Sequence, residues 1–80
     1  MPTILRRDGF RFAFFSNEGH PREPPHVHVS GGGGEAKIWL EPDVALDESS
    51  GLNARELNRI LAIAREEREA LMKACHGHFR

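Results

Sequence analysis

The chain has 80 residues, 39% hydrophobic and 29% charged, a size and composition that fit one small globular domain, residues 1–80, and leave no room for two. Its 11 Lys and Arg against 12 Asp and Glu give a net charge of −1, which excludes a broadly basic nucleic-acid binder and an acidic disordered tail. No apolar stretch approaches the roughly 20 residues of a membrane span, and a single cysteine excludes an internal disulfide, so we expect a cytoplasmic protein without membrane contact.

Alternating apolar residues predict two hairpins in the first half of the chain. Asp8-Gly9 lies between two apolar-rich runs, which is a strong hairpin signal, and the phenylalanines that follow recur with the strand period of two. A loop rich in proline comes next, and a second alternating pair then flanks a run of four glycines. The predicted strands are residues 3–7, 10–15, 26–30 and 35–41; a fifth strand at 44–47 is left open, and 47–51 is predicted to be a turn.

From Asn53 onward the apolar period changes to 3.6, which predicts one long C-terminal helix over about residues 54–76. Asn53 followed by Glu56 is the signature of a capping box at its start. Arg68 interrupts the apolar stripe, and its long stem could snorkel outward. The stripe consists of Leu57, Ile60, Leu61, Ala64, Leu71 and Cys75. The predicted fold class is α+β: a small antiparallel sheet of four or five strands packed on one long helix.

If the helix covers the face of the sheet with phenylalanine and valine, alternation puts a different set of side chains on the opposite face. That set is Arg11, Phe15, His26, His28, Lys37 and Trp39. Exposed aromatic rings beside cations suit the stacking of single-stranded RNA or DNA. The same surface equally suits a protein partner or a second copy of this chain, as in a homodimer.

His26 and His28 lie two residues apart on a predicted strand, so both imidazoles point the same way, with Cα atoms about 6.6 Å apart. This spacing suits an acid–base pair or two ligands of one metal ion. The other two interpretations are a pair of histidines without a role and a pH-sensitive contact. Further metal ligands would have to come from His20, Glu23 or Glu35.

The site prediction made from these residues has two parts. His26 and His28 are the predicted catalytic residues, and they are also the residues that would hold a metal, if one binds. No cofactor is required by the acid–base interpretation. The predicted contacts to RNA or to a partner are Arg11, Phe15, Lys37 and Trp39.

Several segments also match a pattern seen in other proteins. They read MPTI (1–4), GFRF (9–12), FSNEG (15–19), PPHVHV (24–29), EAKIWLEP (35–42) and LNAREL (52–57). Together they resemble a small bacterial family catalogued as a domain of unknown function, number 4160 in that series. The resemblance implies a short stand-alone protein whose gene often neighbours that of another small protein, in a module like a toxin–antitoxin pair. It implies no activity.

The preferred function is therefore a component of such a module that acts on RNA through the His, Arg, Lys and Trp face. Its expected partners are RNA and the small protein of the neighbouring gene. The alternatives are a partner-binding antitoxin or regulator without catalysis, and a metal-binding module at His26 and His28. Whether the protein is an enzyme is left open.

Overall fold

The computed structural model describes residues 3–13 and 25–78, with the side chains of 4–13 and 25–74. They form a five-stranded antiparallel sheet followed by two helices, which confirms the α+β class and the fifth strand. The elements are β1 (Thr3–Arg7), β2 (Phe10–Ala13), β3 (His26–Gly31), β4 (Gly34–Trp39), β5 (Ala45–Ser50), α1 (Ala54–Glu66) and α2 (Arg68–His78). The strands lie in the sheet in chain order, each antiparallel to the one before it.

Two-residue loops close the hairpins between β1 and β2 and between β3 and β4. Asp8 and Gly9 have φ angles of 52° and 82°, and Gly32 and Gly33 have φ angles of 60° and 86°. Positive φ at both loop residues matches the twist of the flanking strands, which is why Asp-Gly and Gly-Gly are favoured there. The predicted end of the second strand, at residues 14 and 15, lies outside the described residues.

The last strand differs from its prediction. Residues 47–51 were expected to form a turn, but β5 continues to Ser50. A bulge makes this possible: Lys37 lies opposite Glu48 and Ile38 lies opposite Leu46, so Asp47 is an extra residue. The turn begins only at Gly51, which has a φ of 76°.

The C-terminal segment is two helices rather than the one long helix expected. The junction lies at Glu67, whose φ and ψ of −103° and 13° depart from helical values. Backbone hydrogen bonds of 2.9 Å still join Glu67 N to Ile63 O and Leu71 N to Glu67 O. Helical hydrogen bonding therefore continues across the junction.

Side chains at this junction are attached to the sheet. Arg7 donates to Glu66 and Glu67 at 2.7 and 3.0 Å, and the bond to Glu66 raises the pKa of the Arg7 guanidinium. Arg68 is half-buried, and its Nε donates to the Leu40 carbonyl at 2.8 Å, a contact that the sequence does not predict. These bonds connect the junction to β1 and to the residue that follows β4, a constraint that apolar periodicity does not reveal.

One apolar core fills the space between the helices and one face of the sheet. It contains Phe10, Phe12, Val27, Val29, Ala36, Ile38, Leu40, Ile60, Ile63, Ala64 and Leu71. Ile63 is fully buried although it was not in the predicted stripe, and the side chain of Cys75 lies outside the described residues. The predicted capping box is confirmed: Glu56 N donates to Asn53 Oδ1 at 2.8 Å, and Asn53 N donates to Glu56 Oε1 at 2.9 Å.

Candidate functional site

The face of the sheet opposite this core is here called the second face. The strand register determines which side chains lie next to each other on it. Residues directly opposite each other on neighbouring strands share a face. Across the sheet, one row on the second face is Arg6, Arg11, Ser30, Glu35 and Ser50. The next row is Ala13, His28, Lys37 and Glu48. A third row contains His26, Trp39 and Ala45.

Four of the predicted site residues form a compact group on β3 and β4, here called the His–Trp cluster. The His26 ring lies 5.4 Å from the rings of His28 and Trp39, at interplanar angles of 74° and 67°. Lys37 Nζ lies 4.7 Å from the centre of the Trp39 ring, within the range of a cation–π interaction. Lys37 also pairs with Asp47 at 3.6 Å. The structure therefore brings His26, His28, Lys37 and Trp39 together.

The members of this cluster differ in their access to solvent. The sequence predicts an open face, but His26 is only 6% exposed, whereas His28, Lys37 and Trp39 are half-buried. His26 lies on the central strand of the sheet with aromatic rings on two sides, which accounts for its burial. His28 is therefore the more accessible of the two imidazoles.

An open pocket of about 220 Å³ lies over β3, β4 and β5. Its lining residues are His28, Glu35, Ala36, Lys37, Glu48, Ser49 and Ser50. Glu48 and Ser50 did not figure in the site prediction, because that part of the chain was expected to be a turn. The alternation of side chains does not identify them either, since the bulge at Asp47 changes which residues of β5 face this way.

The opposite end of the second face is basic. Arg6 and Arg11 are directly opposite each other on β1 and β2. Arg11 Nε is buried and has no hydrogen-bond partner within residues 4–13 and 25–74. The second face thus has guanidinium groups at the β1–β2 end and the carboxylates of Glu35 and Glu48 at the β4–β5 end, with His28 between them.

Some predicted residues fall outside this description. Phe15, His20 and Glu23 lie outside the described residues. Within the described part of the chain, no group of three or more His, Cys, Asp and Glu side chains is arranged to hold a metal ion. Glu35, the predicted additional ligand within this part, lies at the pocket opposite Ser30 and forms no such group with His26 and His28.

Comparison with known families gives one match. The model of the family described as "Domain of unknown function (DUF4160)" matches residues 9–76. The chain belongs to this family. The segment that matches DUF4160 contains all of β2 to β5 and α1, and therefore the whole His–Trp cluster and the pocket. No curated protein and no solved structure matches the chain.

One further observation concerns the helices of this DUF4160 chain. Among the residues that the structure describes, no helix has the length and apolar character needed to cross a membrane.

Proposed function

We propose that the second face binds single-stranded RNA and cleaves it by acid–base chemistry that needs no metal. The supporting observation is the row His28, Lys37 and Glu48, which puts an imidazole, an ammonium and a carboxylate side by side at one pocket. Cleavage of an RNA phosphodiester by its 2′-hydroxyl is accelerated by three groups: a general base, a general acid and a cation beside the phosphate. RNA supplies its own nucleophile, the 2′-hydroxyl.

The proposed reaction begins with attack of the 2′-hydroxyl on the adjacent phosphorus. The Glu48 carboxylate takes the hydroxyl proton as the new P–O2′ bond forms. The P–O5′ bond breaks, and the imidazolium of His28 gives its proton to the leaving O5′. The products are a 2′,3′-cyclic phosphate and a 5′-hydroxyl, with no change of oxidation state.

The spacing of the row suits this division of roles. Neighbouring strands are about 4.8 Å apart, so the backbones of His28 and Glu48 are roughly 10 Å apart across β4. That separation leaves room for a phosphate between the two side chains. Lys37 lies between them, where its charge would stabilise the non-bridging oxygens.

Other residues of the second face would bind and orient the RNA. Arg6 and Arg11 are suited to the phosphates on the β1–β2 side, since guanidinium groups bind phosphate oxygens in pairs. Trp39, which is half-buried, would contribute an aromatic surface. We assign His26 a positioning role, because it is buried in contact with His28.

The test compares cleavage of a fluorescent single-stranded RNA by the wild-type chain, His28→Ala and Glu48→Gln. Removal of a general acid or base should lower the rate roughly 100- to 10,000-fold. Glu69→Gln, an exposed change on α2 with the same charge difference as Glu48→Gln, is the control and should keep the full rate. Mass spectrometry should identify a 2′,3′-cyclic phosphate. Equal cleavage by wild type and His28→Ala would refute the proposal.

We further propose that this activity belongs to a toxin–antitoxin-like module, in which the small protein of the neighbouring gene binds β5. The supporting observation is that β5 is an edge strand, exposed along its whole length, and that Leu46 on it is 37% exposed. An edge strand of this kind can pair with a strand of another protein. Coexpression of the two proteins and copurification test the pairing, which Leu46→Lys should weaken and Glu69→Gln should not.

The exposed edge of β5 is also the proposed binding surface in the non-catalytic alternative. A chain that binds its partner through β5 and leaves RNA intact would be an antitoxin or regulator. The cleavage assay and the copurification therefore separate the two candidate functions.

A further inference from the structure

We propose that the pocket selects guanine as the base on the 5′ side of the cleaved phosphate, with Glu35 as the group that recognises it. This inference rests on the proposed RNA-cleaving function and names its substrate class. It starts from the size of the pocket: about 220 Å³ is below the roughly 300–1,000 Å³ of sites for drug-sized ligands. Such a pocket takes one ring system rather than a folded or double-stranded substrate.

The position of Glu35 relative to the row His28, Lys37 and Glu48 supports a binding site for a nucleobase. Glu35 precedes Lys37 by two residues on β4, so the two side chains leave the same face about 6.7 Å apart along the strand. The row His28, Lys37 and Glu48 is proposed to hold the scissile phosphate. A nucleobase that reaches Glu35 therefore belongs to one of the two nucleosides joined by that phosphate. We assign it to the nucleoside on the 5′ side, because the 2′-hydroxyl of that nucleoside reacts with Glu48, which lies on the same strand as Ser50 opposite Glu35.

The chemistry of the lining favours a base rich in hydrogen-bond donors. Glu35 and Glu48 contribute carboxylate oxygens, which only accept hydrogen bonds, and Ser50 lies directly opposite Glu35. The proposed reaction uses His28, Lys37 and Glu48 at the phosphate. Glu35 is therefore the charged group of the lining that remains to bind a nucleobase.

Guanine fits this lining better than the other three bases do. Its Watson–Crick edge presents N1–H and N2–H side by side, and these can donate to the two oxygens of one carboxylate. Guanine also carries an acceptor on that edge, O6, but it alone among the four bases has two adjacent donor groups. In uracil, cytosine and adenine, a carbonyl or a ring nitrogen lone pair lies directly beside the donor group, and this acceptor would face the second carboxylate oxygen of Glu35 and be repelled by it.

The experiment measures binding of guanosine, inosine, adenosine, cytidine and uridine 3′-monophosphates to the intact chain by calorimetry. Guanosine monophosphate should bind roughly tenfold to a hundredfold more tightly than the adenosine, cytidine and uridine compounds. Inosine monophosphate lacks the N2 amino group and keeps N1–H, so it should lose about tenfold relative to guanosine.

Two variants identify the recognising group. Glu35→Gln should reduce the preference for guanosine over uridine monophosphate to less than about threefold, whereas Glu69→Gln should leave it unchanged. Circular dichroism confirms that each variant is folded. Ser50→Ala, a smaller change opposite Glu35, should weaken the preference partially and serves as the second variant if Glu35→Gln does not fold.

The outcomes separate this inference from the function on which it rests. Equal affinity for all five nucleotides, no binding of any of them, or a guanosine preference that survives Glu35→Gln overturns the guanine site. A guanosine preference lost in Glu35→Gln supports the guanine site, whether or not RNA is cleaved. If RNA is not cleaved, the site stands as a guanine-nucleotide site and the proposed cleavage fails.

Discussion

Replacing Gly34 by alanine tests how closely the backbones at one end of the sheet must approach each other. A Cβ added at Gly34 would contact the Ser50 carbonyl oxygen and lie 2.5 Å from the carbonyl carbon of Gly51. Real Cβ contacts below 3.0 Å essentially do not occur, so the backbone after β5 would have to move by at least about 0.5 Å. Because the obstacle is backbone, no change of side-chain rotamer relieves it.

The stability that Gly34→Ala is expected to lose has two contributions. Forcing extra volume into a close-packed site costs roughly 1–3 kcal/mol. Displacement of the end of β5 would also weaken one or two hydrogen bonds of the β4–β5 ladder, at about 1 kcal/mol each. We therefore expect Gly34→Ala to lower the free energy of unfolding by about 3 kcal/mol. A domain of this length has a total of only roughly 4–12 kcal/mol.

The neighbouring glycine provides a matched control. A Cβ at Gly33 meets nothing within 4 Å, but Gly33 has a φ of 86°. Gly33→Ala should therefore cost only the strain of the left-handed conformation, roughly 1–2 kcal/mol, and Gly33→Asn should cost less because asparagine adopts it more readily. Urea unfolding followed by the fluorescence of Trp39 measures all three variants.

The comparison also has a thermal and a functional readout. At about 4–8 °C per kcal/mol, the melting temperature of Gly34→Ala should fall by more than about 10 °C. Movement of β5 would draw Glu48 and Ser50 away from the pocket, so RNA cleavage should fall as well. If Gly34→Ala is as stable as Gly33→Ala, the close approach of the two backbones does not limit stability and the reasoning fails.

Three further changes test the fold. Ile38→Ala should lower the free energy of unfolding in urea by about 2–5 kcal/mol, because Ile38 is fully buried, whereas Leu46→Ala directly opposite should cost much less; similar costs would contradict the assigned core. Asn53→Ala should cost about 1 kcal/mol by removing the cap of α1, and an unchanged urea midpoint would argue against the capping box. Arg68→Ala should cost about 1.5–3 kcal/mol by leaving the Leu40 carbonyl without its charged donor, and Arg65→Ala, an exposed change on α1, is its control.

Much of the architecture can be predicted from local patterns, for clear reasons. Asp8-Gly9 predicts its hairpin because the loop needs positive φ at two residues, and both have it. The separation of core residues from site residues follows from the strand period of two. Asn53 and Glu56 predict the start of α1 because the capping box is a contact between residues three apart.

The features that escaped prediction all depend on contacts between distant parts of the chain. The break between α1 and α2 at Glu67 accompanies bonds from Arg7 on β1 and from Arg68 to Leu40. The apolar stripe continues past this point, so periodicity alone predicts one helix. The burial of His26 similarly depends on Trp39, which belongs to another strand.

The fold class, the capping box of α1 and the placement of the His–Trp cluster on one face follow from the amino-acid pattern, because each depends on residues close in the chain or on a simple period. The row of His28, Lys37 and Glu48 depends instead on how the strands pair, since the bulge at Asp47 sets the register between β4 and β5. A shift of one residue in that register moves a side chain to the opposite face of the sheet. The pocket and its carboxylates are for this reason properties of strand pairing rather than of any single segment.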